Sequence, residues 1–123
     1  MTRFRIALFA VVAVTAALTW ALPALATQET TRATTITVVA GKPSEFKFKL
    51  NKLTAPKGAV TFKVTNSGAL PHDFKIAGKK TKLLSPGQSQ SLKVTFSATK
   101  KYPFICTVSG HAAAGMKGTF TIK

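Results

Sequence analysis

From about residue 35 onward, apolar and polar residues alternate with a period of two. "EFKFKL" sets Phe46, Phe48 and Leu50 on one face and Lys47 and Lys49 on the other. "AVTFKV" does the same with Val60, Phe62 and Val64 before it stops at "NSG". "TITVVA", ending at Gly41 and Pro43, comes first; "HDFKI" aligns His72 with Phe74 and Ile76, and "SLKVTF" aligns Leu92, Val94 and Phe96 after Pro86-Gly87. "YPFIC" and "MKGTFTI" close the chain. Side chains at i, i+2 and i+4 share one face of a strand, whereas a helix would group positions three or four apart. Some seven or eight short strands, each with one wet face and bounded by turn residues, predict an all-β fold, an antiparallel sandwich.

The first residues follow a different pattern. Arg3 and Arg5 precede an uncharged apolar run from Ile6 to about Leu22, and Pro23 leads into Ala24-Leu25-Ala26. A basic start, an apolar stretch and a small-x-small ending are the marks of a secretory signal. The run is nearly long enough to act as a membrane anchor, but an anchor has no use for the Ala-x-Ala ending. Residues 1–26 are therefore expected to be cleaved, with no stable membrane insertion afterwards. The Thr-rich segment 27–34 reads as a tether, and 35–123 as one folded domain. The product would be exported, to a periplasm or to the cell exterior and surface.

Charge narrows the partners. The chain carries 18 basic and 3 acidic residues, a net +15. Lysines on strands and in turns ("GKKTK", "TKK") read first as solvated faces and edge protection. Their field would draw in anionic partners. Nucleic acid is not the expected one: Trp20 lies in the signal, Tyr102 is the sole tyrosine, and the phenylalanines placed on strands face inward, so no stacking surface remains.

Alternation also assigns faces to the residues that carry chemistry. His72 is in phase with Phe74 and Ile76, Cys106 with Tyr102 and Phe104, and Met116 with Gly118, Phe120 and Ile122. All three should point inward from strand ends, and His111 sits on the loop that joins two of those strands. Cys106 is the only cysteine, so no internal disulfide can form; in an exported protein an odd thiol is oxidised or engaged, and a metal is the natural partner. Beyond residue 26 the only cysteine, the only methionine and both histidines would converge at one end of the sandwich. One thiolate, two neutral imidazoles and a weak thioether suit copper: the first and last hold Cu(I), and imidazole tolerates Cu(II). Structural zinc sites favour more than one thiolate.

"VTNSGALPHDFKI" followed by "YPFICTVSGHAAAGMKGTFTI" resembles the small blue copper proteins, the cupredoxins of the plastocyanin/azurin type. The resemblance spans the chain from "SEFKFKL" to the end. It implies a Greek-key sandwich, one type 1 copper ion cycling between Cu(I) and Cu(II), equatorial ligands His72, Cys106 and His111, and Met116 as the weak axial ligand. Asp73 stands where such proteins commonly carry Asn, a residue that ties the His strand to the Cys loop. A carboxylate there should make the same tie and favour the oxidised metal. Backbone donors near Thr107 and Asn66 are expected to orient the thiolate.

The function that follows is one-electron transfer by an exported monomer. Ala69, Leu70, Pro71 and Ala112 to Ala114 would form an apolar collar around the solvent-side imidazole, and a redox partner protein with an acidic docking surface would meet it. Copper delivery or sequestration is the alternative. An enzyme is not expected: Asp73 is the only acid placed to orient a base, and there is neither a carboxylate pair nor a glycine-rich phosphate loop.

Overall fold

The computed structural model describes Ala24 and residues 32–123. The expected signal over 1–26 therefore lies outside the described residues apart from Ala24, and the expected tether over 27–34 is described only at residues 32–34, the last of which already belongs to the first strand. Nine short strands follow: β1 (Thr34–Ala40), β2 (Phe48–Leu50), β3 (Thr54–Ala55), β4 (Gly58–Asn66), β5 (Lys75–Ile76), β6 (Lys79–Lys80), β7 (Ser89–Phe96), β8 (Lys101–Ile105) and β9 (Lys117–Ile122). They form a four-stranded sheet in the order β2-β1-β4-β7 and a five-stranded sheet in the order β3-β9-β8-β5-β6.

The all-β sandwich is as expected, but its strands do not all run antiparallel. β1 pairs with β4 in parallel from Thr34↔Val60 to Ala40↔Asn66, and β3 pairs with β9 in parallel. The other pairings between strands are antiparallel. Alternation records which face of a strand is buried and is silent about the direction of its neighbour. Between β1 and β4 the chain passes through β3 in the opposite sheet, so it re-enters alongside β1 pointing the same way.

The period-two pattern becomes the core. Ile36, Val38, Val60, Phe62 and Val64 of the first sheet are fully buried against Phe120 and Ile122 of the second. Phe62 lies at the centre, with ring centroids 5.4 Å from Phe74 and 5.3 Å from Phe120. Offset and edge-on contacts of this kind add about 0.5–1.5 kcal/mol per pair beyond burial. This packed interior holds the strand ends that carry the site.

Two segments depart from regular strands, and both departures serve the site. β2 begins only at Phe48, because β1 ends at Ala40 and the ladder between them does not extend to residues 45–47. The chain turns there instead, with Gly41 at φ 78° and its amide donating to Lys47 O at 2.9 Å. A Cβ on Gly41 would stand 2.6 Å from Gly68 N, so this turn packs backbone to backbone on the loop before His72. His72 itself belongs to no strand. It makes an isolated bridge with Leu84, donating its amide at 3.0 Å and accepting at 2.8 Å. Its expected strand is cut to Lys75–Ile76 because β8 ends at Ile105. His72 is nevertheless fully buried, so the inward face assigned from "HDFKI" is correct.

Candidate metal centre

Each side chain of the site is held by a different device. Cys106 follows directly on β8 and Met116 directly precedes β9. The neck between them is closed by Cys106 N donating to Met116 O at 3.0 Å. The loop they bound is bonded turn after turn: His111 N to Val108 O, Ala114 N to Gly110 O, and Met116 N to His111 O, each at 3.0 Å. Gly110, at φ 81°, provides the left-handed residue that turns His111 back over the sandwich end. Across from this loop Asn66, fully buried, fixes the approach to His72. Its Nδ2 donates to Leu70 O and Leu84 O, both at 2.8 Å, and its Oδ1 accepts from Gly68 N at 2.9 Å.

The result is a triangle of donor atoms. His72 Nδ1 and His111 Nδ1 are 3.1 Å apart, and Cys106 Sγ lies 4.0 Å from the first and 3.6 Å from the second. Metal bonds of roughly 2.0–2.3 Å to nitrogen and sulfur place three donors around one ion at about these separations. His72, Cys106 and Met116 are essentially buried, and His111 keeps 8% of its surface exposed. Met116 packs with Cys106 and Ala40 in a small apolar cluster under Phe46, Phe48 and Val108. Phe46 also meets the His111 ring edge-on, centroids 5.0 Å apart. The structure thus brings all four sequence-predicted side chains to one end of the sandwich, three of them with their donor atoms converging.

Electrostatics suit a cation. Burial pushes the Cys106 thiol above its ordinary range, while the amides of Asp73 and Val108 bond the sulfur and pull it down. Of the backbone donors expected near Thr107 and Asn66, the Val108 amide lies next to Thr107, whereas Asn66 is taken up with Leu70 O, Leu84 O and Gly68 N. Thr107 N is engaged elsewhere, donating to Asp73 Oδ1 at 2.6 Å, and the Thr107 hydroxyl donates to Asp73 Oδ2. The expected tie between the His segment and the Cys loop is therefore made by a carboxylate. Burial lowers His111, and its neighbour His72 lowers it further, so its imidazole stays neutral and able to ligate. A thiolate in so buried a place needs a positive partner, and a metal that displaces its proton supplies one.

Sequence reasoning missed Glu45. Its Oε1 lies 2.6 Å from His72 Nε2, behind the donor triangle. Ala69 N donates to Oε2 at 2.9 Å and Leu70 N to Oε1 at 3.0 Å. These two amides chiefly, then His72, hold the carboxyl down at about 2. The available signal was scarcity: Glu45 and Asp73 are the only acids in 32–123, and both lie against the site.

Comparison with known proteins agrees with this geometry. Residues 8–122 match the family model described as a cupredoxin-like domain. The chain belongs to the cupredoxin family. Within a cupredoxin fold, His72, Cys106 and His111, with Met116 beside them, are arranged as a copper site. Among curated proteins, the copper-resistant cuproprotein CopI of Vibrio cholerae serotype O1 is 26% identical over 100 residues, covering 64% of this cupredoxin chain. The match spans 59% of that relative's own length. Among solved structures, auracyanin B superposes with a TM-score of 0.66 at 24% identity, covering 74% of this chain and 89% of that one. A dithionite-reduced auracyanin from Roseiflexus castenholzii gives a TM-score of 0.58 at 26% identity, covering 74% and 98%.

Proposed function

We propose that this cupredoxin is an exported one-electron carrier with a single type 1 copper ion, held by His72, Cys106 and His111 and weakly by Met116. One observation carries the reading: a cysteine sulfur and two imidazole nitrogens converge within 4.8 Å in a buried, hydrogen-bonded end of the sandwich. Copper bound there would supply reversible one-electron chemistry between Cu(I) and Cu(II). The chain's own contribution is to hold the donors in one arrangement for both states. The Cys106–Met116 neck, the Asp73–Thr107 tie and the Asn66 brace all oppose rearrangement.

Electrons would pass through His111, the one member of the set whose edge reaches solvent. On the segments that carry His72 and His111, Leu70 is 43% exposed, and Ala69, Pro71, Ala113 and Ala114 are exposed as well. These side chains form the apolar collar, suited to brief contacts with a partner. Beyond the collar, 15 lysines and Arg32 in residues 32–123 face outward with both carboxylates already engaged. An acidic partner fits that surface, and the protein acts as a monomer. The N-terminal apolar run with its Ala-x-Ala ending supports export.

Copper handling is the second reading, favoured by the likeness to a copper-resistant cuproprotein. Burial of the site weighs against it, since an exchangeable site has to open. Redox cycling of the copper-loaded chain against a competing chelator tests the choice. A carrier cycles repeatedly and keeps its copper; loss of copper to the chelator on reduction would overturn the carrier reading.

A further inference from the structure

Glu45 is placed in a way that its surroundings do not favour by chance. In a stretch with 16 cations, a partly exposed carboxylate would ordinarily sit among lysines. Among the described residues the only basic side chain within 4.0 Å of its oxygens is instead the His72 imidazole, at 2.6 Å. Its oxygens are turned inward by the amides of Ala69 and Leu70, the residues that lead into His72. Gly68 closes over the contact: a Cβ there would stand 2.5 Å from Glu45 Oε1 and 2.9 Å from His72 Nε2. The backbone packing of Gly41 on Gly68 brings the Glu45 turn to this point. Three independent features thus build one contact.

We propose that Glu45 is a positioning residue of the metal site: it fixes His72 in the tautomer with its proton on Nε2 and Nδ1 free for the metal, and its charge favours Cu(II) over Cu(I). The first half follows from donor and acceptor roles. Glu45 already accepts two amide hydrogens, so it faces His72 as an acceptor, and His72 Nε2 is the donor. The lone pair on Nδ1 is then left pointing at His111 Nδ1 and Cys106 Sγ, 3.1 and 4.0 Å away. The second half rests on the proposed copper site. A carboxylate bonded to the far nitrogen of a ligating imidazole makes it a stronger donor, and the more highly charged ion gains more from that.

The test uses the folded chain with and without copper. In metal-free protein, ¹⁵N NMR of the imidazole reads the tautomer directly; the expected result is proton on Nε2 in the parent and a mixture in Glu45→Ala. Glu45→Gln keeps a carbonyl acceptor and removes the charge. That variant is expected to hold the tautomer, raise the reduction potential, and weaken Cu(II) binding by about 10- to 100-fold, the usual effect of losing such a partner. Should Glu45→Ala fail to fold, Glu45→Gln decides the matter through the potential. An unchanged tautomer in a folded Glu45→Ala, or an unchanged potential in Glu45→Gln, would overturn the proposal. A parent chain that took up no copper would instead overturn the proposed function, and the tautomer would still report on Glu45.

Discussion

Asp73 offers a mechanical prediction that can be separated from the metal. Its carboxylate, with only 4% of the residue exposed, is the side-chain link between the His72 segment and the Cys106 loop. Truncation in Asp73→Ala removes both bonds to Thr107 at once. A hydrogen bond to a charged group contributes about 1.5–3 kcal/mol, so the pair is worth roughly 3–6 kcal/mol before relaxation. Thr107 is exposed and can turn its amide and hydroxyl to water, which brings the expected loss to about 2–4 kcal/mol. Lys80, 3.8 Å from Oδ2 and half exposed, adds no more than about 1 kcal/mol. For a domain of this size each kcal/mol moves Tm by about 4–8 °C, so Asp73→Ala should melt on the order of 10–25 °C lower. Asp73→Asn keeps an acceptor for the Thr107 amide and should cost only about 1 kcal/mol. Urea denaturation of the metal-free chain measures both, with equal m-values showing that the denatured state is unchanged. An Asp73→Ala variant within about 0.5 kcal/mol of the parent would refute the cross-link. In copper-loaded protein Asp73→Asn should raise the reduction potential, because a negative charge beside the site favours the oxidised ion. An unchanged or lowered potential would contradict that.

Other consequences follow from single contacts. A Cβ on Gly118 would lie 2.8 Å from Phe104 Cε2, and Phe104 is backed by Phe48 and Phe74. Gly118→Ala should therefore cost about 1–3 kcal/mol in urea denaturation, and a neutral result would show that the ring has room to move. Glu45, ordinarily near 4.5, is held at about 2 in the fold, so between those values the unfolded chain binds the extra proton. Its stabilisation is present above pH 4.5 and is lost as the pH falls towards 2; melts of the metal-free chain should show this fall, and Glu45→Gln should flatten it. If the cationic exterior steers an acidic partner, the encounter rate should drop steeply with added salt, whereas a flat response would remove charge from the docking account.

Much of this architecture was legible because burial leaves a period of two in the sequence. Val60, Phe62 and Val64 or Leu92, Val94 and Phe96 announce their faces, and the same phase turns Cys106 and Met116 inward. The reading of His72 worked for a partly different reason: its side chain faces in, but a two-bond bridge to Leu84 holds it rather than a strand. Strand direction was not legible, since a parallel β1–β4 pair buries the same residues as an antiparallel one. Nor was the turn at 41–47, where "EFKFKL" keeps its alternation but runs past the end of its partner strand. That turn carries Glu45 to His72 and Phe46 to His111, contacts 27 and 65 positions apart along the chain that depend on two glycines meeting. Local pattern holds no information about such an approach. The scarcity of acids does, in hindsight, mark both Glu45 and Asp73.

Under the proposed function Cys106, with His72, His111 and Met116, holds one copper ion as a thiolate complex. Cu(II) added to the folded chain, followed by visible absorption and EPR beside Cys106→Ser, tests it most directly. An intense blue thiolate-to-copper band is expected in the parent, and its loss in Cys106→Ser. A parent chain without that band, or a serine variant that keeps it, would contradict the claim.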